Sequence, residues 1–303
     1  MSRIFVILNA GSGNGHDEAL IQQVRGLFEA AGRPAEVSLA RGGGQIEAKV
    51  ADAIAQQADV IVAGGGDGTV STVAAALAGG EIALGVLPLG TFNHFAKDLG
   101  LALTLEAAVR QIVAGQRTRV DVGEVNGRVF INNSSLGLYP DIVHDRDQQQ
   151  KHIGRSKWLA LLWASMAALR RFPFLSVCLS VDGTEYRRRT PFVFIGNNEY
   201  RMEGFSLGSR ERLTGGQLSV YAAQRPGRMR LVLLAFRALL GRLKQARDFD
   251  ALLATEFVVD SRHHHLRVAT DGETTVMEPP LRYRIRPASL TVIGVAPPGQ
   301  SDA

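Results

Sequence analysis

Two glycine-rich stretches carry most of the chemistry that the sequence can offer. In the first, Val60-Ile-Val-Ala runs directly into Gly64-Gly65-Gly66-Asp67-Gly68-Thr69, so an apolar segment ends in four glycines within five residues. Glycines between a strand and a helix let backbone N–H groups approach a phosphate closely, and the helix N-terminus favours its charge. Asp67 has the chemistry to bind a metal ion or its water shell, and Thr69 to donate to a phosphate oxygen. A tight strand-to-helix turn with no ligand would use the same residues. No Gly-Lys-Ser/Thr follows, so this is not a Walker A loop, and the glycine spacing does not match a dinucleotide fingerprint. The second stretch, Leu87-Pro-Leu-Gly90-Thr91-Phe-Asn93-His94-Phe95-Ala-Lys97-Asp98, again follows an apolar run. That is where open α/β sheets place their ligands. Asn9-Ala-Gly-Ser-Gly-Asn-Gly15 offers backbone N–H groups in the same way, and Asp271-Gly272-Glu273 reads as a hairpin turn.

The elements that must position these residues follow from periodicity. Arg3–Leu8, Glu36–Leu39, Val60–Ala63 and Ala83–Leu87 read as strands. Helices from about Asp17, near Gln45–Gln57, near Val70–Leu77 and over about Thr104–Val113 separate or follow them. Such alternation predicts a doubly wound parallel α/β sheet covered on both faces. The pattern changes near residue 118. Val120–Val125 and Val129–Asn132 flank Asn126-Gly127, a type I′ hairpin signal. A second hairpin centres on Asp182-Gly183, between Leu175–Val181 and Tyr186–Phe194. Further strands are expected at Leu218–Ala222, Glu256–Val259, Leu266–Ala269, Leu281–Arg286 and Leu290–Val295, with helices near Lys157–Arg170 and Arg228–Ala246. The expected fold class is therefore α/β, with residues 1–125 forming the parallel domain and 126–303 a β-rich, antiparallel sandwich-like domain.

Composition narrows the classes. The 303 residues are 46% apolar and 21% charged, enough for a core and unlike a disordered chain. A single cysteine, Cys178, excludes a disulfide framework or a multi-cysteine metal site and suits a reducing, cytoplasmic compartment. The opening MSRIFVILNAGSG reads as a first strand rather than a signal peptide. The longest apolar stretch, Trp158–Leu169, has 12 residues, short of the roughly 20 that span a bilayer. Net charge is +5, yet residues 1–125 carry 9 Lys/Arg against 13 Asp/Glu, and residues 126–303 carry 25 against 16. The later half therefore suits an anionic partner or a solvated basic face. No recognition-helix motif or aromatic–basic strip points to nucleic acid.

Read together, Gly-Gly-Gly-Asp-Gly-Thr and Pro-Leu-Gly-Thr-x-Asn, about 20 residues apart, resemble the diacylglycerol kinase catalytic family of bacterial lipid kinases and sphingosine kinases. The family is more distantly similar to NAD kinases. Asn9-x-x-Ser-Gly-x-Gly, Val120-Asp121-Val and Asp271-Gly272-Glu273 fall where such a protein has them, so the resemblance spans most of the chain. It implies a two-domain kinase with ATP and Mg²⁺ in the cleft, the 1–125 domain holding nucleotide and the 126–303 domain a lipid substrate. By position, Asn9, Gly65, Gly66, Asp67, Gly68, Thr69, Gly90 and Thr91 would hold the nucleotide. Asp67 and Asp121 would belong to a Mg²⁺ network. Asp271 would be the base that takes the lipid hydroxyl proton, with Glu273 and Asn93 grouped beside it as catalytic. Phosphoryl transfer demands positioning and charge neutralisation more than covalent work, which agrees with these residue types.

The chain departs from the pattern where the family has Asn-Glu after Gly-Asp-Gly-Thr, holding Ser71 and Thr72, and where Asn-Asp-Phe becomes Asn93-His94-Phe95. Ala40 stands in place of a nucleotide-contacting threonine, and Leu213–Leu218 lacks the aspartate with which some members hold a structural magnesium. Weaker signals have plain explanations: His263 and His265 suit a strand edge as well as zinc, and Arg187-Arg188-Arg189 a solvated face. The resulting expectation is a cytoplasmic ATP-dependent lipid kinase in peripheral contact with an anionic membrane surface. A catalytically weak ATP- or lipid-binding protein and a soluble-substrate kinase related to NAD kinase are the alternatives. The lipid and the oligomeric state are left open.

Overall fold

Apolar runs without polar alternation make strands buried on both faces, and the computed structural model bears this out. It describes residues 3–11, 18–137, 175–181, 184–190, 192–203, 206–210, 212–223 and 249–294. The first segment alternates β1 (Ile4–Asn9), α1 (Glu18–Ala30), β2 (Ala35–Ala40), α2 (Gly43–Ala55), β3 (Val60–Gly65), α3 (Asp67–Leu77) and β4 (Ala83–Pro88). The short α4 (His94–Asp98) and α5 (Leu105–Ala114) follow. The strands pair in parallel in the order β2-β1-β3-β4. On one face α1 buries Ile21, Val24 and Phe28 and α5 buries Val109 and Ile112; on the other, α2 buries Ile46 and Val50 and α3 buries Val70 and Val73. This is the doubly wound arrangement expected from the sequence.

From β5 (Gln116–Val125) onward the pairing is antiparallel, apart from one parallel contact of the last strand with β4. β5 turns through Asn126 (φ 46°) and Gly127 (φ 85°) into β6 (Arg128–Phe130), the two positive φ angles that Asn-Gly accommodates. There follow β7 (Asn133–Gly137), β8 (Leu175–Val181), β9 (Thr184–Thr190), β10 (Phe192–Asn197), β11 (Tyr200–Glu203) and β12 (Ser206–Arg210). The series ends with β13 (Leu218–Ala223), β14 (Phe249–Ala254), β15 (Glu256–Ser261), β16 (Leu266–Thr270), β17 (Glu273–Met277) and β18 (Leu281–Gly294). One sheet runs β14-β13-β10-β7-β16-β17. Its apolar face packs on β8, β15 and β18 through Leu136, Ile195, Val220, Val268, Phe257 and Tyr283. The Tyr283 ring stacks on Phe257 with centroids 4.9 Å apart, and its hydroxyl meets Ser134 Oγ at 3.0 Å, so the buried phenol is satisfied.

Two expected strands, Leu281–Arg286 and Leu290–Val295, are one 14-residue strand, β18, with a bulge between Arg286 and Leu290. Its first half pairs with β15 and its second reaches β4 in parallel at Val292↔Leu84, while β5 runs along both halves. The parallel sheet thus continues into the antiparallel one without a break. The expected strand Tyr186–Phe194 is divided between β9 and β10. The helices expected at Lys157–Arg170 and Arg228–Ala246, the apolar stretch Trp158–Leu169, the Asp182-Gly183 turn and residues 12–15 of the first loop lie outside the described residues. Among the described residues, no helix is long and apolar enough to cross a membrane.

Candidate active site

The two glycine motifs form one structure because the second could not carry a side chain at Gly90, where it meets the first. Gly66 caps α3 in an extended conformation, and a Cβ on it would lie 3.6 Å from Gly90 Cα. A Cβ on Gly90 would fall against Gly66 Cα itself, and one on Gly64 against the Leu8 side chain. Leu89 N–H donates to Gly65 O at 3.2 Å, tying the turns together. The first loop joins them: Asn9 Nδ2 donates to Thr69 Oγ1 at 2.9 Å, while Asn9 Oδ1 accepts from Gly11 N–H at 3.0 Å. Val70 N–H donates to Gly66 O, so the amides of Asp67, Gly68 and Thr69 have no carbonyl one turn back. Gly68 is exposed, with open space where its Cβ would be. Donors of this kind at a helix N-terminus fit a phosphate chain.

Asn93, in the left-handed region (φ 51°), spends its side chain on its own loop. It accepts from Gly90 N–H at 3.0 Å and donates to Gly90 O at 2.8 Å and Pro88 O at 3.2 Å. Asp67, half-buried at the start of α3, accepts from Phe95 N–H at 3.4 Å. Thr91 is exposed, and His94 stacks on Phe92 at 5.6 Å.

Asp271 occupies the β16–β17 turn with φ 50°, followed by Gly272 at 90°. Its carboxylate is fully engaged. Oδ1 accepts from the backbone N–H of Asn132 (2.8 Å) and Asn133 (3.0 Å); Oδ2 accepts from Ile131 N–H (2.8 Å) and from Ser71 Oγ (2.8 Å). Burial pushes this carboxyl above the ordinary carboxylate range, against the opposing pull of those four donors. A cleft of about 270 Å³ opens beside it, lined by Ser71, Thr72, Arg128, Thr270, Asp271 and Glu273 among others. Glu273 is exposed and pairs with Arg128 Nη2 at 2.7 Å, while Arg128 Nε donates to Thr270 Oγ1 at 2.8 Å. Ser71 and Thr72, the two departures from the family pattern, therefore line the cleft at Asp271.

Asp121 lies elsewhere in the network. It is buried on β5; Oδ2 accepts from Gly216 N–H at 2.7 Å and Oδ1 from Ala288 N–H at 2.8 Å, at the β18 bulge. Asp67 and Asp121 thus have different partners, and among the described residues no group of three His, Cys, Asp or Glu is placed to hold a metal ion.

One buried pair had no counterpart in the motif reading. Arg210 of β12 meets Asp98 of α4 through Nε (2.8 Å) and Nη2 (2.6 Å), with side chains 0% and 8% exposed. Arg210 also donates to Asn132 Oδ1 at 2.9 Å and to the carbonyl of Ile131. Tyr200 lies against it, 5.4 Å from ring centroid to guanidinium, and burial pushes its hydroxyl up to about 12 despite the nearby cation. Arg210 therefore ties the end of the second glycine motif to the 131–133 backbone that holds Asp271. Asp98 stood in the quoted motif, but nothing local marks its partner 112 residues away.

Comparison with known proteins agrees with this geometry. Residues 3–125 match the family described as diacylglycerol kinase catalytic domain, and residues 143–294 match the YegS C-terminal NAD kinase beta sandwich-like domain. A protein of Cronobacter sakazakii named "Probable lipid kinase YegS-like" is 35% identical over 152 residues, 48% of this chain and 50% of that protein. A "Diacylglycerol kinase" of Staphylococcus saprophyticus is 31% identical over 153 residues, covering 50% of each. The chain thus spans about half the length of the curated relatives it matches. A crystal structure of a diacylglycerol kinase from Bacillus anthracis superposes with a TM-score of 0.71 over 97% of both chains at 21% identity, a likeness of fold. With a family match on each half, the chain belongs to the diacylglycerol kinase catalytic family, whose catalytic domain is followed here by a YegS-type C-terminal domain, and it is similar to proteins named as lipid kinases and diacylglycerol kinases.

Proposed function

We propose that this protein transfers the γ-phosphate of ATP to a hydroxyl of diacylglycerol or a related lipid. One observation carries the reading: Ser71 holds the Asp271 carboxylate at 2.8 Å from a position four residues past Asp67. A half-buried carboxylate of raised pKa is thus held about one helical turn, roughly 6 Å along the axis, from a phosphate cradle. Asn9, Gly65, Gly66, Gly68 and Thr69, with Gly90 and Thr91 behind them, would hold the nucleotide, and Asp67 would hold Mg²⁺ through water. When bound, ATP with Mg²⁺ supplies the transferable phosphoryl group and neutralises its charge. Asp121, both of whose oxygens accept backbone N–H groups, fits a structural role better than a metal ligand. Asn93 closes its loop, and Glu273 orients Arg128 at the cleft.

Asp271 serves as the base. A carboxylate has about four lone-pair positions, and all four are filled, three of them by rigid backbone N–H groups. Only the Ser71 hydroxyl can turn away. The acceptor hydroxyl would take its place on Oδ2 and pass its proton there as its oxygen bonds to the γ-phosphorus and the bond to the departing ADP oxygen breaks. A pKa above the ordinary carboxylate range brings Asp271 nearer working pH, which improves a general base. The basic later half would meet an anionic membrane surface. The test is phosphate transfer from ATP to a panel of dispersed lipids, with NAD as a soluble acceptor arm, because the C-terminal match is NAD kinase-like. Transfer to lipid supports the proposal. Transfer to NAD alone, or nucleotide binding without transfer to any acceptor, overturns it.

A further inference from the structure

A second cleft, of about 520 Å³, opens on the solvent face of β8, β9 and β15 and shares no lining residue with the cleft at Asp271. Strand register builds it. Val177, Leu179 and Val181 of β8 point into the core, so alternation turns Ser176 and Cys178 outward. Across the β8–β9 pair, Cys178 faces Arg187 and Ser176 faces Arg189; across the β8–β15 pair, Cys178 faces Asp260, and Arg262 follows two residues on. Arg187, Arg189 and Arg262 thus frame a floor of Ser176 and Cys178, with Asp260 the one acidic lining residue among the described residues. Arg188 borders the cleft but extends over the Tyr186 ring, 5.7 Å from its centroid. Glu185 approaches Arg187 at 3.6 Å, with side chains 59% and 85% exposed, an exposed pair of little energetic weight.

Among the described strands β9 lies at the sheet edge, and charge on an edge discourages pairing with other chains. That purpose needs charge on β9 alone. Here Arg262 is added from just past the end of β15, two strands inward, and lines the same cleft. We infer that this cleft is an anion site that takes a phosphate group through Arg187, Arg189 and Arg262, presented either by an anionic phospholipid headgroup or as free phosphate. Guanidinium forks match phosphate oxygens in bidentate fashion, and the Ser176 hydroxyl adds a donor. The site does not depend on the kinase reaction.

Cys178 is the chain's single cysteine and is half-exposed on the cleft floor, so its reaction with an anionic aromatic disulfide reports occupancy without substitution. Two probes separate the sources: inorganic phosphate, and vesicles of phosphatidylglycerol in phosphatidylcholine against phosphatidylcholine alone. Phosphate that slows the thiol reaction severalfold more than KCl at equal ionic strength assigns a free-phosphate ligand. Binding to anionic vesicles that falls about fivefold per arginine in Arg187→Gln, Arg189→Gln and Arg262→Gln, on the order of 10²-fold for all three, assigns a headgroup. Glu185→Gln should strengthen whichever binding is found, a gain that misfolding cannot imitate. Asp271→Ala should leave the binding unchanged, separating this site from the catalytic reading. Absence of phosphate protection together with vesicle binding that is absent or indifferent to the three arginines overturns the inference.

Discussion

Asp98→Ala should destabilise the fold far more than the loss of an ordinary ion pair. In the native protein the Arg210 side chain is fully buried, and it sends Nε and Nη2 to one Asp98 oxygen at 2.8 and 2.6 Å. Alanine would leave both N–H groups unpaired and a cation buried without its anion, at a cost of about 3–5 kcal/mol. That is a large share of the ~5–15 kcal/mol typical of folded proteins. Arg210→Met in the same chain removes the stranded charge, so the double variant should be more stable than Asp98→Ala alone. Equilibrium urea unfolding of the wild type, the singles and the double measures this, the midpoint carrying the effect if the slope is unchanged. A cost for Asp98→Ala below ~1 kcal/mol, the range of an exposed pair, would refute the reasoning. The double variant should still turn over slowly, because Arg210 supports Asn132, whose N–H holds Asp271.

Activity should decline as pH falls through a value above the ordinary carboxylate range, because Asp271 must be ionised and burial raises its pKa. The stability contributed by this group has the opposite sign. The folded state binds the proton more tightly than the unfolded chain, so the contribution grows as pH falls from the raised value toward the ordinary one. An acid limb of the pH–rate profile at an ordinary carboxylate position would contradict this. Ser71→Ala removes one donor to the ionised carboxylate and should move that limb to still higher pH; an unmoved limb would separate Ser71 from Asp271. Gly90→Ala sets a methyl against Gly66 Cα and should cost ~1–3 kcal/mol through overpacking, with nucleotide affinity falling in a binding titration. Asp121→Ala should destabilise the fold by ~1–3 kcal/mol for each stranded amide, read as a lower urea midpoint, while Mg²⁺-dependent nucleotide affinity of the folded fraction is retained.

The parallel half of the fold was legible because β1, β3 and β4 are continuous apolar runs and the helices between them repeat every three to four residues. The glycine motifs were legible because few backbones need four glycines within five residues. β7 was not: Asn133-Ser-Ser-Leu-Gly137 has turn composition, yet it pairs with β10 and β16, where small side chains suit a doubly covered strand. β18 read as two strands because Pro287 and Ala288 interrupt its pattern, and the bulge is held by Asp121, 167 residues earlier. The roles of Ser71, Asn132 and Arg210 depend on pairings across 200, 139 and 112 residues. Such long-range partners leave no trace in local periodicity.

The central claim is that Asp271 takes the acceptor proton beside a phosphate cradle on α3. The most direct test compares wild type with Asp271→Asn for transfer of labelled phosphate from ATP to dispersed diacylglycerol, with nucleotide affinity and the unfolding midpoint measured on the same samples. Turnover should fall by on the order of 10²–10⁴, with nucleotide affinity unchanged in a folded protein. Undiminished turnover in Asp271→Asn would contradict it.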